Sequence, residues 1–301
     1  MNGDVQRFRC VRCGKTFSER QPLDGVRIES RKAAQVVQML CEGVGVRAIS
    51  RLTGLCKDTV LNVLQSAGQH CEQLMADKVK NVQVGDVQID EVFGFVGCLQ
   101  QNTSKDDVLR GDQYAFIAID RATKLILHVH VGKRDGANTG EFLRGLKFKF
   151  PEKFQLTSDG FDQYSNAYTN GVKAVFGNEV DYATEVKTYG PLHPGGFGRR
   201  NNPVVCKSVW RKARIGFPKM RLATVNHVER QNLSVRLFNR RFTRKTLGYS
   251  KKLDNHRWAM LVQVAHFNFC RVHSAHGKTP AMEAGLTDHV WTVKELLHFT
   301  A

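Results

Sequence analysis

The chain has 301 residues, 42% of them hydrophobic and 24% charged, a globular composition with room for a catalytic domain and a small accessory one. It carries a net charge of +17, and no apolar run approaches the ~18 residues of a membrane span, so neither a membrane span nor a membrane partner is expected. No signal peptide opens the sequence, and its eight cysteines stand mostly singly among apolar neighbours, which fits core thiols in a reducing, cytoplasmic and nucleoid-associated setting.

Residues 1–25 contain Arg9-Cys10-Val11-Arg12-Cys13-Gly14-Lys15-Thr16-Phe17, half of a zinc ribbon. Cys10 and Cys13 supply two of the four ligands that tetrahedral structural zinc requires. No second Cys-x-x-Cys follows, and Cys41, Cys56 and Cys71 lie in apparent helix. Either the knuckle belongs to a larger zinc module or it is vestigial; Zn²⁺ is left open.

Residues 26–80 read as three helices. Ser30 is expected to cap the first, with Ala33, Val37, Leu40 and Cys41 on one stripe. Gly43 and Gly45 end it. The second spans Val46 to Thr53, with Val46 and Ile49 inward and Leu52 a further candidate. Gly54 makes the turn, and Lys57 opens a third helix with Val60, Leu61, Leu64, Cys71 and Leu74 near helical spacing. This is a helix-turn-helix pattern, whose last helix would present Lys57, Asp58, Thr59 and Asn62 to a DNA major groove. The alternative is a helical bundle that touches no DNA.

From Gly85 the pattern changes. Strands are expected over Asp86–Val96, Gln113–Asp120 and Lys124–Val131, forming an antiparallel meander. Asn138 would cap a helix to about Phe148, with Phe142, Leu143 and Leu146 inward. A short strand, Phe154–Ser158, ends at Asp159, and a helix is expected across Tyr164, Ala167, Tyr168 and Val172. Meander followed by alternating helix and strand is the element order of a ribonuclease H-like core. Residues 183–223 show little periodicity and read as a basic loop, with 185–223 an insertion able to clamp DNA. A helix then carries Glu229, Asn232, Leu233 and Arg236 on one face. A last long helix carries the packing residues Trp258, Leu261, Val262, Ala265 and Phe269.

The charge is localised. Between residues 190 and 257 there are 17 Lys and Arg against Glu229 and Asp254, a balance of +15. A polyanionic partner follows, with salt-sensitive nucleic-acid binding. Arg199, Arg200, Arg211, Lys212, Arg236, Arg240, Arg241, Arg244 and Lys245 are the candidate phosphate contacts.

Three carboxylates stand where a charge needs compensation: Asp90 within a β-rich run, Asp159 at a strand end, Glu229 in a basic helix. Hard divalent cations take oxygen ligands, and three carboxylates can hold two Mg²⁺ ions roughly 3.5–4 Å apart. Glu91 competes with Asp90, since adjacent strand residues face opposite sides and only one is expected to reach the metals. Asp120 and Asp162 are turn or cap residues on the simpler reading. Glu179 and Glu185 are weaker third ligands, and His227 and Asn232 are candidates either to support the site or for a hydrogen-bonded structural role.

At Asp90-Glu91, Ser158-Asp159-Gly160 with Tyr164, and His227-Val228-Glu229-Arg230-Gln231-Asn232 with Arg236, the sequence resembles the DDE transposases of bacterial insertion sequences, most of all the type-one family and its relatives. The tail from Arg271-Val272-His273 through Lys278-Thr279-Pro280 to Leu286 is similar to transposase C-termini. The resemblance covers nearly the whole chain. It implies an α+β protein: an N-terminal helix-turn-helix, then a ribonuclease H-like mixed-sheet catalytic domain over 81–301 with flanking helices. It also implies Asp90, Asp159 and Glu229 as catalytic metal ligands for Mg²⁺ (Mn²⁺ can substitute), cleavage and transfer of DNA 3′ ends, double-stranded DNA as partner, and a homo-oligomeric synaptic complex. A nuclease without strand transfer and a DNA-binding regulator with a non-catalytic core are the rival readings.

Overall fold

In the computed structural model the described residues are 7–18, 26, 28–104, 106–147, 149–150, 152–165, 171–192 and 204–298. The described residues begin with a small antiparallel hairpin, β1 (Arg7–Arg9) and β2 (Thr16–Ser18). Cys10 and Cys13 lie in its turn, which is closed by Cys10 N–H to Lys15 O at 2.8 Å and Gly14 N–H to Cys10 O at 2.9 Å. Gly14 sits at φ +70°, where a side chain would be strained. Hydrogen bonds from the backbone and thiol of Cys13 lower the pKa of the Cys10 thiol. Among the described residues no group of three metal-ligating side chains includes this pair.

Three helices follow at the expected places: α1 (Ser30–Cys41), α2 (Val46–Thr53) and α3 (Lys57–Lys78). Ala33, Val36, Val37, Cys41, Ile49, Val60, Val63 and Leu64 are buried, as a stripe at helical period requires. Two expectations change. Glu29, not Ser30, occupies the N-cap of α1, without a side-chain cap bond. Leu52 is 67% exposed, so the inward stripe of α2 is narrower than expected. Gly54 ends α2 in the left-handed region (φ 72°), and the Cys56 thiol caps α3 by accepting from Thr59 N–H.

The sheet has six strands in the order β5-β4-β3-β6-β7-β8. β3 (Asp86–Val96), β4 (Gly111–Asp120) and β5 (Ile126–Gly132) form the antiparallel meander. Helix α4 (Gly136–Lys147) leads to β6 (Phe154–Ser158), parallel to β3. Asp135 rather than Asn138 caps α4, its carboxylate accepting the Asn138 N–H at 2.9 Å. Phe142, Leu143 and Leu146 are buried as expected. The single helix expected across 164–172 is instead two short ones, α5 (Asp162–Ser165) and α6 (Val172–Phe176), with extended Gly171 before the second. Ala167 and Tyr168 lie outside the described residues.

The largest departure lies in 183–223. Instead of a loop, β7 (Val180–Pro191) and β8 (Val204–Ile215) pair as a long antiparallel hairpin, with β7 parallel to β6 and β8 at the sheet edge. No side chain of β8 is buried, so no apolar alternation marks the strand in sequence. Lys207, Arg211, Lys212 and Arg214 are exposed along it; such charges also protect an open edge from pairing with other chains. Arg199 and Arg200 lie outside the described residues.

Helix α7 (Asn226–Phe238) packs on β3 and β4, and α8 (Leu253–Phe269) packs along α3, α1 and β5. α9 (Pro280–Glu283) and α10 (Val293–His298) close the chain against α8, α1 and α3. The contact between α3 and α8 is close: a Cβ added at Gly68 would lie 2.5 Å from Trp258 Cβ. The buried residues of these helices and of the sheet form one hydrophobic cluster.

Candidate metal centre

Strand register places the first two carboxylates. β3 and β6 run parallel, and their pairing ends at Ile89 opposite Ser158. The next residue on each strand is acidic, so Asp90 and Asp159 meet where the ladder stops, at the carboxyl end of β6. In open α/β sheets ligands bind at the carboxyl ends of strands.

The two faces of β3 converge there. Gln88 and Asp90 belong to the face covered by α7. Glu91 pairs across to Phe116 and shares the face covered by α4, where Phe116 and Phe142 lie 5.6 Å apart. Even so, Asp90, Glu91 and Asp159 each offer a carboxylate oxygen within 4.8 Å of the others. The expectation that only one of Asp90 and Glu91 can reach the site is therefore overturned. Asp90 Oδ1 accepts the Glu91 backbone N–H at 2.8 Å, which turns its carboxylate along the strand toward its neighbour.

Electrostatics mark the cluster as short of positive charge. Burial pushes the Asp90 carboxyl up to about 7, helped by the charges of Glu91 and Asp159 and, more weakly, Glu229. Burial also pushes Glu91 up to about 7, against the opposing pull of the Tyr164 hydroxyl and Arg134. The Glu91 side chain is 2% exposed, with the Tyr164 hydroxyl and Arg134 as its polar partners. Arg134, just past β5, lies 3.1 Å from Glu91 Oε2 and 3.9 Å from Asp159 Oδ2. Its guanidinium stacks 4.0 Å from the Phe161 ring, and Asp159 fixes that ring by accepting the Phe161 N–H at 2.9 Å.

Glu229 stands in the first turn of α7 and lines one cleft of about 430 Å³ with Asp159, Arg134 and Lys187. It is outside the tight trio. Lys187 on β7 holds its carboxylate and also reaches Asn226 Oδ1 at 2.8 Å and Glu185 Oε1 at 3.6 Å. Glu185 is buried and already satisfied by Arg211, Thr224 Oγ1 and Val225 N–H. Burial alone would raise its pKa, but these bonds and Lys187 hold it below the usual carboxylate range.

Helix α7 is pinned to the sheet by side chains whose role local spacing does not reveal. Gln88 Oε1 accepts the N–H groups of His227 (2.9 Å) and Val228 (3.2 Å), two of the donors a helix start leaves unpaired. One turn on, Asn232 Nδ2 donates to Asp90 Oδ2 at 2.8 Å. Asn232 thus bonds Asp90 through its side chain, whereas His227 contributes its backbone. Asp120 is a turn residue whose Oδ2 accepts from the Thr123 N–H and hydroxyl. Asp162 is exposed at the start of α5 and lines the cleft without joining the trio.

The residues expected to contact DNA fall into three groups. Lys57, Asn62, Lys212, Arg240, Arg244 and Lys245 are exposed, and Arg211 is exposed but engaged with Glu185. Thr59 is half-buried against the Cys56 thiol. Arg236 is half-buried; burial and Arg244 lower its pKa while the Asp90 charge opposes them, so it feels the site. Arg241, expected at the surface, is instead buried and bonded through Nη1 to Ser250 Oγ at 3.0 Å.

A divalent cation fits the trio: the donors are hard oxygens, and their mutual repulsion is only partly offset by Arg134. The site therefore defines a candidate carboxylate metal centre in the middle of the sheet, where the β3–β6 ladder ends. No protein-family profile matches the chain, and no curated protein matches it. Among solved structures it is similar to the piggyBac transposase synaptic complex with hairpin DNA, at 9% identity over 89% of this chain and 69% of that one, TM-score 0.39. It is also similar to the Mos1 transposase paired-end complex with left transposon end, at 14% identity over 51% of this chain and 58% of that one, TM-score 0.21. Both are DNA transposases, and both likenesses are distant.

Proposed function

We propose that the chain is an insertion-sequence DNA transposase of the DDE type. The observation that carries the reading is the convergence of Asp90, Glu91 and Asp159 beside a cleft that also holds Glu229, within a strongly basic stretch of chain. The motif resemblance around the same residues supports it.

Asp90, Asp159 and Glu229 are the proposed ligands of Mg²⁺, with Mn²⁺ as substitute, and Glu91 shares the buried side of the centre. Bound there, the metal ions would activate water or a DNA 3′-hydroxyl and stabilise the leaving 3′-oxygen. Asn232 fixes the orientation of Asp90 through a direct hydrogen bond. Arg134 holds Glu91 and Asp159 in register. Lys212, Arg236, Arg240, Arg244 and Lys245 are proposed to neutralise DNA phosphates, with Lys57, Thr59 and Asn62 at element ends. The ribonuclease H-like core, the helix-turn-helix and a homo-oligomeric synaptic complex belong to the same proposal.

Strand transfer tests it. Purified protein with Mg²⁺ and a duplex carrying the element's flanking end should join 3′ ends to a target, while Asp90→Ala, Asp159→Ala and Glu229→Ala bind DNA without chemistry. Cleavage without joining would replace the transposase with a nuclease. Metal-independent binding alone would leave a regulator.

A further inference from the structure

Helix α7 has two faces with different neighbours. Glu229 and Asn232 turn toward the metal centre. At about 100° per residue, His227, Arg230, Ser234 and Phe238 fall on the opposite side. There α7, α8 and residues 271–274 enclose a cavity of about 450 Å³. No Asp or Glu lines it, whereas Lys124, Arg230, Arg271 and three histidines do. Neither arginine is in an ion pair among the described residues. Arg271 stacks its guanidinium 3.6 Å from the Phe238 ring, and Lys124 bonds the backbone carbonyl of Arg121. Lys124 also feels the carboxylates of Asp120 and Asp86 from outside the cavity. Burial lowers the pKa of His227, of His266 (to about 4) and of His273. Neighbouring charges push the same way: Lys124 and Arg121 on His227, Arg271 on His266, Lys124 and Arg271 on His273. A concave surface with this charge favours an anion.

A second, independent feature says what else the ligand carries. Gln263 of α8 lines the cavity and is only 6% exposed, and its Oε1 has no hydrogen-bond partner. It also borders a smaller space of about 30 Å³ beside the cavity. A buried acceptor without a partner is costly, so it marks a place for a donor. Phe267, Leu237 and Val272 supply apolar lining. The cavity thus offers cations for a negative end, a buried acceptor for an N–H group, and apolar surface for a flat ring. Its volume exceeds what inorganic phosphate needs, lies in the range of small-molecule sites, about 300–1,000 Å³, and is far too small for a DNA duplex.

We propose that this cavity binds a free purine nucleoside 5′-monophosphate, with Arg230 and Arg271 on the phosphate and Gln263 Oε1 accepting an N–H of the base. Guanidinium groups match phosphate oxygens in a planar fork. A glutamine amide pairs well with the adenine edge, where its oxygen accepts from the N6 amine, so adenine is the expected base. The inference goes beyond the transposase reading, since it requires neither the metal nor DNA. A nucleotide seated there would contact the same helix that carries Glu229 and Asn232.

The test is calorimetric titration of the full chain with AMP, inorganic phosphate and adenosine, in buffer free of metal and DNA. AMP is expected to bind at one site with a Kd of about 1 mM or tighter, and more tightly than phosphate or adenosine alone. Arg230→Gln, at an exposed position, should weaken AMP and phosphate about tenfold or more. Gln263→Leu should weaken AMP severalfold and leave phosphate unchanged. It should not lower the melting temperature, because Oε1 has no partner in the fold to lose. AMP that binds no more tightly than phosphate, or equally well to both variants, would overturn the nucleotide site. A 5′-phosphorylated single-stranded oligonucleotide that displaces AMP and binds more tightly would overturn the free nucleotide in favour of a strand end. No AMP binding at all would overturn the cavity's assignment while leaving the metal centre and the transposase reading untouched.

Discussion

Asn232 donates to Asp90 Oδ2 at 2.8 Å, and that bond ties the middle of α7 to the middle of β3 across 142 positions of sequence. It keeps one Asp90 oxygen engaged while the other accepts the Glu91 N–H. Groups that orient metal ligands in this way typically cost 10–100-fold in affinity or activity when removed, and we expect Asn232→Ala to weaken Mn²⁺ binding by roughly that factor. A Mn²⁺ titration of the variant checks this; unchanged binding would show that the bond is only structural.

Glu91 supplies a pH test whose sign is fixed. Its pKa is raised to about 7 from 4.5 in the folded chain. Between those values the folded state binds more protons than the unfolded one, so this group makes the metal-free protein lose stability as pH rises from about 4.5 to about 7, and no further above that. Glu91→Gln removes the term. Thermal melts without metal should show the variant gaining on wild type across that window and then holding a constant lead. A lead that shrinks with rising pH would mean that Glu91 is well compensated.

Lys187 competes with metal for Glu229. If the two share that carboxylate, Lys187→Met should tighten Mn²⁺ binding severalfold, in line with the about 1 kcal/mol of a partly exposed ion pair. Calorimetry on the variant reads this directly. Weaker binding would indicate that Lys187 organises the site instead of opposing the metal.

The cap on α7 is separable from the chemistry. Gln88→Met leaves the His227 and Val228 N–H groups without their acceptor and should destabilise the fold by about 1–3 kcal/mol, seen in denaturant unfolding. An unchanged midpoint would show that water replaces the cap.

What the sequence made legible follows the reach of its signals. The three N-terminal helices, the meander and β6 were read within a few residues, because an apolar stripe or a dense β-branched run marks each. Asp90 stands out as a carboxylate in a costly place, whereas Asp159 and Glu229 are more than a third exposed and are marked only by a strand end and a basic helix. The β7–β8 hairpin was not legible, since β8 buries no side chain and carries no alternation. Glu91 was set aside on strand alternation, which holds for the faces of β3 but not for a carboxylate that hydrogen-bonds to the next residue and converges with it at a ladder end. Arg134, Gln88 and Lys187 act across 39 to 140 positions, and no local spacing encodes such contacts.

The most direct test is to soak Mn²⁺ into crystals of the protein and record anomalous scattering. A peak within coordination distance of Asp90 and Asp159, lost in Asp159→Asn, is the expected result. Crystals that show no peak there, with both carboxylates still held by Asn232 and Arg134, would contradict a metal centre at the end of the β3–β6 ladder.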